Sequence, residues 1–94
     1  MARPGPKPTS GFLYVIGHPS SPAHSKVGRG VDPYRRLAAA NTWSPHGAFK
    51  LHGYVFFVDT FAAEAAAHHA LKDRHVRGEW FHIKPQAALR SEER

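Results

Sequence analysis

The sequence predicts a small α+β domain, and three observations carry that prediction. Apolar runs rich in β-branched and aromatic residues, at 11–17 and 48–59, are typical of strands. Two stretches with helical spacing, 33–41 and 61–75, each follow a strand segment. A chain of 94 residues with 41% hydrophobic content has room for one core. We therefore predict a mixed or antiparallel sheet flanked by helices, in the order β-β-α-β-α-β-α.

The first half of the chain is predicted to form a hairpin followed by a helix. GFLYVIG, residues 11–17, reads as a buried strand, and the turn-forming HPSSPAHS segment connects it to a short strand over 26–29. A helix is expected to begin at Asp32-Pro33. The aspartate side chain can accept hydrogen bonds from the backbone amides of the first turn, which have no partner within the helix, and proline is tolerated at the first helical position. Asn41 is expected to end this helix in a left-handed conformation.

The second half is predicted to supply a strand, a helix and one more short strand. The strand over 48–59 is expected to be interrupted at Gly53. Thr60 is the expected cap of the alanine-rich helix that runs to His75. The segment EWFHI then reads as the last strand, with Trp80 and Phe81 in the core.

The ends of the chain are assigned separately from the folded part. Residues 1–10, with three prolines, are expected to be a flexible lead-in. The domain is placed at 11–83, and residues 84–94 are expected to be a helical or frayed tail.

Charge and composition favour a polyanionic partner. The net charge is +6, and residues 1–47 contribute +5 of it, from six lysines and arginines against one aspartate. Cations neutralise phosphates and release counterions, so DNA fits this half, although a basic solvated surface is the alternative. No run approaches the roughly 20 apolar residues of a membrane span. The absence of cysteine fits a reducing compartment. We expect a cytoplasmic protein of a bacterial or phage-infected cell.

Short motifs in a fixed order resemble the GIY-YIG nuclease family. They are the strand FLYVI, the triplet KVG at 26–28, an arginine eight residues after Gly28, an early glutamate in the next helix, and a terminal EWF. The resemblance covers 11–83 and is greatest to the compact phage and bacterial branch, where KIG or KVG replaces the tyrosine-bearing triplet. It implies a three-stranded antiparallel sheet flanked by helices. It also implies hydrolysis of DNA phosphodiester bonds, assisted by one Mg²⁺ or Mn²⁺.

The resemblance assigns roles residue by residue. Tyr14 matches the tyrosine of the first triplet, Arg36 the arginine on the first helix, and Glu64 the metal-binding carboxylate. Lys26 stands where many members have a tyrosine proposed as general base.

The chain also departs from the family pattern at several positions. The glycine of the first triplet is displaced to Gly11, Ala40 occupies a position that often carries histidine or tyrosine, and no asparagine follows Glu64. These departures leave the expected fold unchanged and bear on catalysis.

Two of these residues have chemistry that suits phosphodiester hydrolysis. Arg36 offers a planar fork for two phosphate oxygens; its alternative is a weak ion pair with Asp32, one helical turn earlier. Glu64 is a hard oxygen donor for Mg²⁺ or Mn²⁺; its alternative is a glutamate favoured near a helix N-terminus.

The remaining candidate residues are predicted to act beside Arg36 and Glu64. Lys26 is predicted to act either as a general base or as a phosphate contact, and Tyr14 either to orient water or to pack as a strand aromatic. Arg29 and Arg35 are predicted to position phosphate. His68, four residues after Glu64, is expected to assist Glu64 or the leaving group.

A zinc site formed by His68 with His69 and His75 is the weaker alternative, because the spacing lacks a supporting carboxylate or cysteine.

The predicted function is a metal-dependent DNA endonuclease. Its rival is a catalytically degenerate module of the same fold that only binds nucleic acid; a structural or protein-interaction domain is a third class. Because the chain has no appended DNA-reading motif, sequence specificity is expected to come from a partner protein, from homo-oligomerisation or from DNA shape, or to be weak.

Overall fold

The computed structural model describes residues 10–43 and 47–92. The expected flexible lead-in, except Ser10, lies outside the described residues. The described chain forms five strands and three helices, with a short 3₁₀ turn between the second helix and the fourth strand. These elements are β1 (Gly11–Gly17), β2 (Ser25–Gly30), α1 (Pro33–Trp43), β3 (Lys50–Phe57), α2 (Thr60–Ala70), the 3₁₀ turn (Lys72–Arg74), β4 (His75–Arg77), β5 (Trp80–Phe81) and α3 (Pro85–Glu92).

All five strands join one antiparallel sheet in the order β3-β1-β2-β5-β4. The α+β class is confirmed, but the sheet has five strands where three were expected. The predicted element order is wrong because it lacks β4. The sequence before Gly78 favours a helix locally, yet α2 ends at Ala70 and the chain turns back as a hairpin through Gly78, whose φ is +54°. Pairing of β4 with β5 overrides the local helix propensity there.

The start of α1 is confirmed and its predicted end is wrong. Asp32 Oδ1 accepts from the backbone amides of Tyr34 and Arg35 at 3.1 and 3.2 Å. Asn41 lies inside the helix, which continues to Trp43. The Asn41 side chain instead bonds both backbone groups of Phe49, at 2.9 and 3.2 Å, and so ties α1 to the segment that leads into β3.

The cap of α2 is Asp59 rather than Thr60. Asp59 Oδ1 accepts from the amide of Ala62 at 3.1 Å, while Thr60 is the first helical residue and is buried. The sequence offers two adjacent capping residues, and burial of Thr60 decides between them.

The interruption predicted at Gly53 is confirmed as a β-bulge. Val15 lies opposite Gly53 while Ile16 lies opposite Leu51, so His52 is the extra residue on β3. A Cβ at Gly53 would lie 2.8 Å from Leu89 Cδ2, which means that the glycine also lets α3 approach the sheet.

The core lies on one face of the sheet, under α2 and α3. Its buried side chains are Leu13, Val15, Val27, Ala67, Leu71, Phe81 and Ala88. Phe81 is in the core as predicted, at 1% exposure, but Trp80 is only half-buried and outside the core cluster. Trp80 is the register partner of Lys26 on β2, so it projects from the opposite face. Among the described residues, no helix has both the length and the apolar character to cross a membrane.

Candidate functional site

Gly28 and Gly30 of β2 form the floor of a polar cluster on the face that carries Tyr14, and Arg29 and Glu64 join the cluster from the side of α2. A Cβ at Gly28 would lie 2.5 Å from the Tyr14 hydroxyl and 2.8 Å from Glu79 Oε1. The tyrosine hydroxyl and the carboxylate therefore meet over a position where only glycine fits. Tyr14 is 2% exposed, so its ring is part of the protein interior while its hydroxyl faces the cluster.

Arg36 reaches the same cluster from α1. Its Nε lies 3.2 Å, and its Cγ 3.4 Å, from the place a Cβ would take at Gly30, and Tyr14 Cε2 lies 3.8 Å from that same point. The predicted alternative for Arg36 was an ion pair with Asp32. Within the described part of the chain the ion pairs are Lys26–Glu79 and Arg29–Glu64, and Asp32 caps α1. Arg36 is exposed, which leaves its guanidinium accessible to an anion.

Glu64 enters from the first turns of α2 and contacts Arg29. The Arg29 Nε donates to Glu64 Oε1 at 3.2 Å, and the Arg29 guanidinium lies over the Phe61 ring at 3.7 Å. Glu64 Oε2 is buried, and no hydrogen-bond donor of the described residues reaches it. A buried carboxylate oxygen without a donor is costly, so this oxygen is available to a ligand that can donate to it or coordinate it.

The group facing Glu64 is a second carboxyl, that of Glu79. Burial raises the pKa of Glu79 first, and the negative charge of Glu64 raises it further. Lys26 opposes this effect, with its Nζ 3.9 Å from Glu79 Oε1. The two carboxyls therefore lie close enough for the charge of one to act on the other.

Replacement of Glu79 by glutamine is expected to change how stability depends on pH. Because folding raises the pKa of Glu79, its favourable contribution is complete below the usual carboxyl value of about 4.3 and is lost as the pH rises through the folded value. Glu79→Gln should therefore gain stability relative to wild type as the pH rises above about 4.3 and through the raised pKa of Glu79. Urea unfolding in metal-free buffer measures this, and parallel pH profiles for the two proteins would contradict it.

The Tyr14 hydroxyl keeps its proton in this setting. Burial raises the pKa of Tyr14 most, Glu79 and Glu64 raise it further, and Arg36 and Arg29 act in the opposite direction. At neutral pH the hydroxyl is thus a hydrogen-bond donor directed at the cluster.

His68 lies beside the cluster but its ring is already engaged. Its Nε2 lies 2.9 Å from the Val27 carbonyl, which can only accept, so Nε2 carries a proton and donates. The ring also contacts Phe81, with centroids 5.0 Å apart. His75 Nε2 likewise donates to the Gly78 carbonyl at 2.8 Å. No group of three or more potential ligands among histidine, cysteine, aspartate and glutamate comes together in the described ranges.

The structure thus brings five of the predicted residues into one cluster, with His68 at its border and Arg35 exposed on α1 outside it. The five are Tyr14, Lys26, Arg29, Arg36 and Glu64. Glu79 is a further member of the cluster, and the sequence pattern assigned it no role. Its position directly before Trp80, in the EWF motif, was the signal that could have identified it.

Gly28→Ala tests whether the cluster depends on the glycine floor. The added methyl group would overlap both the Tyr14 hydroxyl and Glu79 Oε1, so these groups must separate. We expect a folded protein whose anion binding is weakened by about tenfold or more. Circular dichroism and oligonucleotide binding measure the two properties. Gly30→Ala, where the nearest atoms belong to the long Arg36 side chain, should be milder.

Comparison with known proteins identifies a domain family for this chain. No match was found among curated proteins or among solved structures. Residues 11–92 match the T5orf172 domain, a phage-associated domain found in the context of GIY-YIG and HNH-like endonucleases. The match runs from the first residue of β1 to the last of α3 and so includes every element that contributes to the cluster. The chain belongs to the T5orf172 domain family.

Proposed function

We propose that this protein is a metal-dependent DNA endonuclease of the GIY-YIG type. The observation that carries the proposal is Glu64 Oε2, a buried carboxylate oxygen without a hydrogen-bond donor. It lies beside a second carboxyl, that of Glu79, and near positively charged side chains. Three positively charged side chains, Lys26, Arg29 and Arg36, surround the two carboxyls. This alternation of charges suits a phosphate and a cation bound next to each other.

The donor set fits a hard divalent cation. Glu64 would hold Mg²⁺ or Mn²⁺ through its free oxygen, since such ions prefer oxygen donors and often use only one or two protein carboxylates. When bound, the ion would neutralise charge on the phosphate and make a coordinated water more acidic.

The chain's own residues would then act on the phosphate and on the water. Arg36, which lies over Gly30, would donate hydrogen bonds from its planar guanidinium to two phosphate oxygens. The protonated Tyr14 hydroxyl would donate to a third oxygen or orient the water. Glu79, whose pKa burial raises, would accept the proton of the attacking water. The water oxygen would bond to phosphorus as the bond to the leaving sugar oxygen breaks, and solvent would supply the proton that this oxygen takes up.

The other positively charged side chains would contribute to the affinity for DNA. Lys26, Arg29 and Arg35 would contact neighbouring phosphates, in line with the +5 charge of residues 1–47. Specificity for a DNA sequence would come from a partner protein, from a second copy of the chain or from DNA shape.

The rival function is a nucleic-acid-binding module without catalysis. Two carboxyls within a cationic groove repel a phosphate backbone, so a pure binder gains nothing from them. The rival is therefore less well supported than hydrolysis.

Nicking of supercoiled plasmid in Mg²⁺ or Mn²⁺ tests the proposal. We expect nicking by the wild type that EDTA, Glu64→Ala and Arg36→Ala each abolish. Absence of nicking, together with DNA binding that Arg36→Ala weakens and Glu64→Ala leaves equal or stronger, would establish the binding module instead. Absence of both nicking and binding would favour the protein-interaction class.

A further inference from the structure

A cavity of about 460 Å³ opens next to the cluster. It lies between the β1–β2 connection, the start of β3 and the β4–β5 hairpin, and its size falls within the range of small-ligand pockets. Its walls include the aromatic rings of Phe49 and Trp80 and the polar side chains of His18, Ser20, Ser21 and Arg77. None of the lining residues is acidic.

Trp80 connects this cavity to the candidate catalytic cluster. It is the antiparallel partner of Lys26, so the indole and the lysine side chain project from the same face of the sheet. Lys26 in turn pairs with Glu79, which precedes Trp80 in the chain. A ligand in the cavity and a phosphate in the cluster would therefore be neighbours.

The apolar part of the cavity suits a flat aromatic ligand. The Phe49 and Trp80 rings lie 6.1 Å apart with their planes tilted by 43°, and the His18 ring meets Phe49 edge-on at 4.8 Å. Trp80 is half-buried although it is a large aromatic residue, and Phe81 rather than Trp80 fills the core. An exposed aromatic face of this kind is a stacking surface for a base.

The polar part of the cavity suits the edge of a base and its phosphate. The Ser20 amide donates to His18 Nδ1 at 3.1 Å, and the Ser20 hydroxyl lies 2.6 Å from the same nitrogen, so both Ser20 groups are engaged with His18. The site thus offers the His18 ring, the Ser21 hydroxyl and the guanidinium of Arg77. These groups hydrogen-bond to base edges and attract phosphate, and no nearby lining carboxylate opposes them.

We propose that this cavity binds one unstacked nucleobase of the strand whose phosphate lies in the cluster. This inference rests on the proposed nucleic-acid function, and it specifies the substrate further. Bases inside an intact duplex cannot enter the cavity, so the preferred substrate has single-stranded, flipped or otherwise unpaired nucleotides beside the cleaved bond.

Fluorescence of Trp80 tests the proposal directly. The chain has two tryptophans, and Trp43 is 86% exposed on α1, so Trp43→Phe leaves Trp80 as the single reporter without disturbing the core. The titrations use a short single-stranded oligonucleotide and an abasic strand of equal length and charge, both in EDTA so that no cleavage occurs. We expect saturable quenching of Trp80 by the base-bearing strand only. We also expect this strand to bind about tenfold more tightly than the abasic strand.

Two variants separate stacking from general loss of structure. In the otherwise wild-type chain, Phe49→Ala should weaken binding of the base-bearing strand by about tenfold and leave binding of the abasic strand unchanged. Phe56→Ala removes an aromatic ring that is 56% exposed on β3 and should change neither. Equal binding of both strands with no change in Trp80 fluorescence would overturn the base pocket and leave the phosphate site intact. Failure of both strands to bind would overturn the proposed function as well as the pocket.

Discussion

Glu64→Gln is expected to abolish cleavage while leaving the fold close to wild-type stability. The amide keeps the shape of the carboxylate but cannot hold a divalent cation, so we expect the rate to fall on the order of a thousandfold. The ion pair with Arg29 is lost, yet Arg29 keeps its contact with the Phe61 ring. Loss of the repulsion between Glu64 and Glu79 acts in the opposite direction. We therefore expect the unfolding free energy to stay within about 1 kcal/mol of wild type.

Three measurements on this variant separate chemistry from folding. Urea unfolding gives stability, titration calorimetry with Mn²⁺ gives cation binding, and single-turnover cleavage gives the rate. Asp73→Asn is the matched control, because Asp73 is an exposed acid in the 3₁₀ turn. If Glu64→Gln binds Mn²⁺ as well as the control does, Glu64 is not the cation ligand.

Arg36→Ala is expected to have the second largest effect, a loss of about 10² to 10³ in the rate of cleavage. Arg36 lies over Gly30 beside the Tyr14 ring. From there its guanidinium can donate hydrogen bonds to two phosphate oxygens as negative charge develops on them. Arg36→Lys should restore only part of the rate, since an ammonium group cannot make the bidentate contact.

Arg35→Ala is the internal control for this prediction. Arg35 is the neighbouring residue on α1, of the same type and equally exposed, but it lies outside the cluster. Its loss should weaken DNA binding modestly, with a shallower salt dependence, and leave the rate at saturating DNA unchanged. Equal loss of rate in both variants would mean that the two arginines contribute only general positive charge.

Local signals were sufficient where one segment determines its own structure. The glycine-bounded run of β1 and the Asp32-Pro33 start of α1 are confirmed because strand patterning and capping depend on neighbours in the chain. The bulge at Gly53 is confirmed because glycine within a strand commonly marks one.

Local signals failed where distant segments compete. His75–Arg77 follows an alanine-rich helix and carries no strand pattern, and it becomes β4 only because the hairpin at Gly78 pairs it with β5. Asn41 fits a helix end by type, but its side chain is taken by the backbone of Phe49. Neither outcome can be read from a single segment.

The candidate site was also predicted from the sequence only in part. Motif spacing singled out the residues that the structure brings together over Gly28 and Gly30. It gave Glu79 no role, because the importance of Glu79 arises from its contact with a carboxyl fifteen positions earlier, on another element. It also placed Trp80 in the core, although pairing with Lys26 turns the indole to the other face.

Glu79 also bears on the departures from the family pattern. Lys26 stands where many members of the GIY-YIG family, which the chain resembles, have a tyrosine proposed as general base, and Lys26 is paired with Glu79. Under the proposed function, a carboxyl with a raised pKa would take over the proton-accepting role, and catalysis would survive the loss of that tyrosine.

The most direct test of the account is single-turnover cleavage of one labelled DNA strand by the wild type, Glu64→Gln and Arg36→Ala, each with Mg²⁺ and with EDTA. We expect cleavage by the wild type in Mg²⁺, none in EDTA, and losses of about two to three orders of magnitude in the rate of both variants. Cleavage that persists at the wild-type rate in Glu64→Gln, or in EDTA, would contradict it.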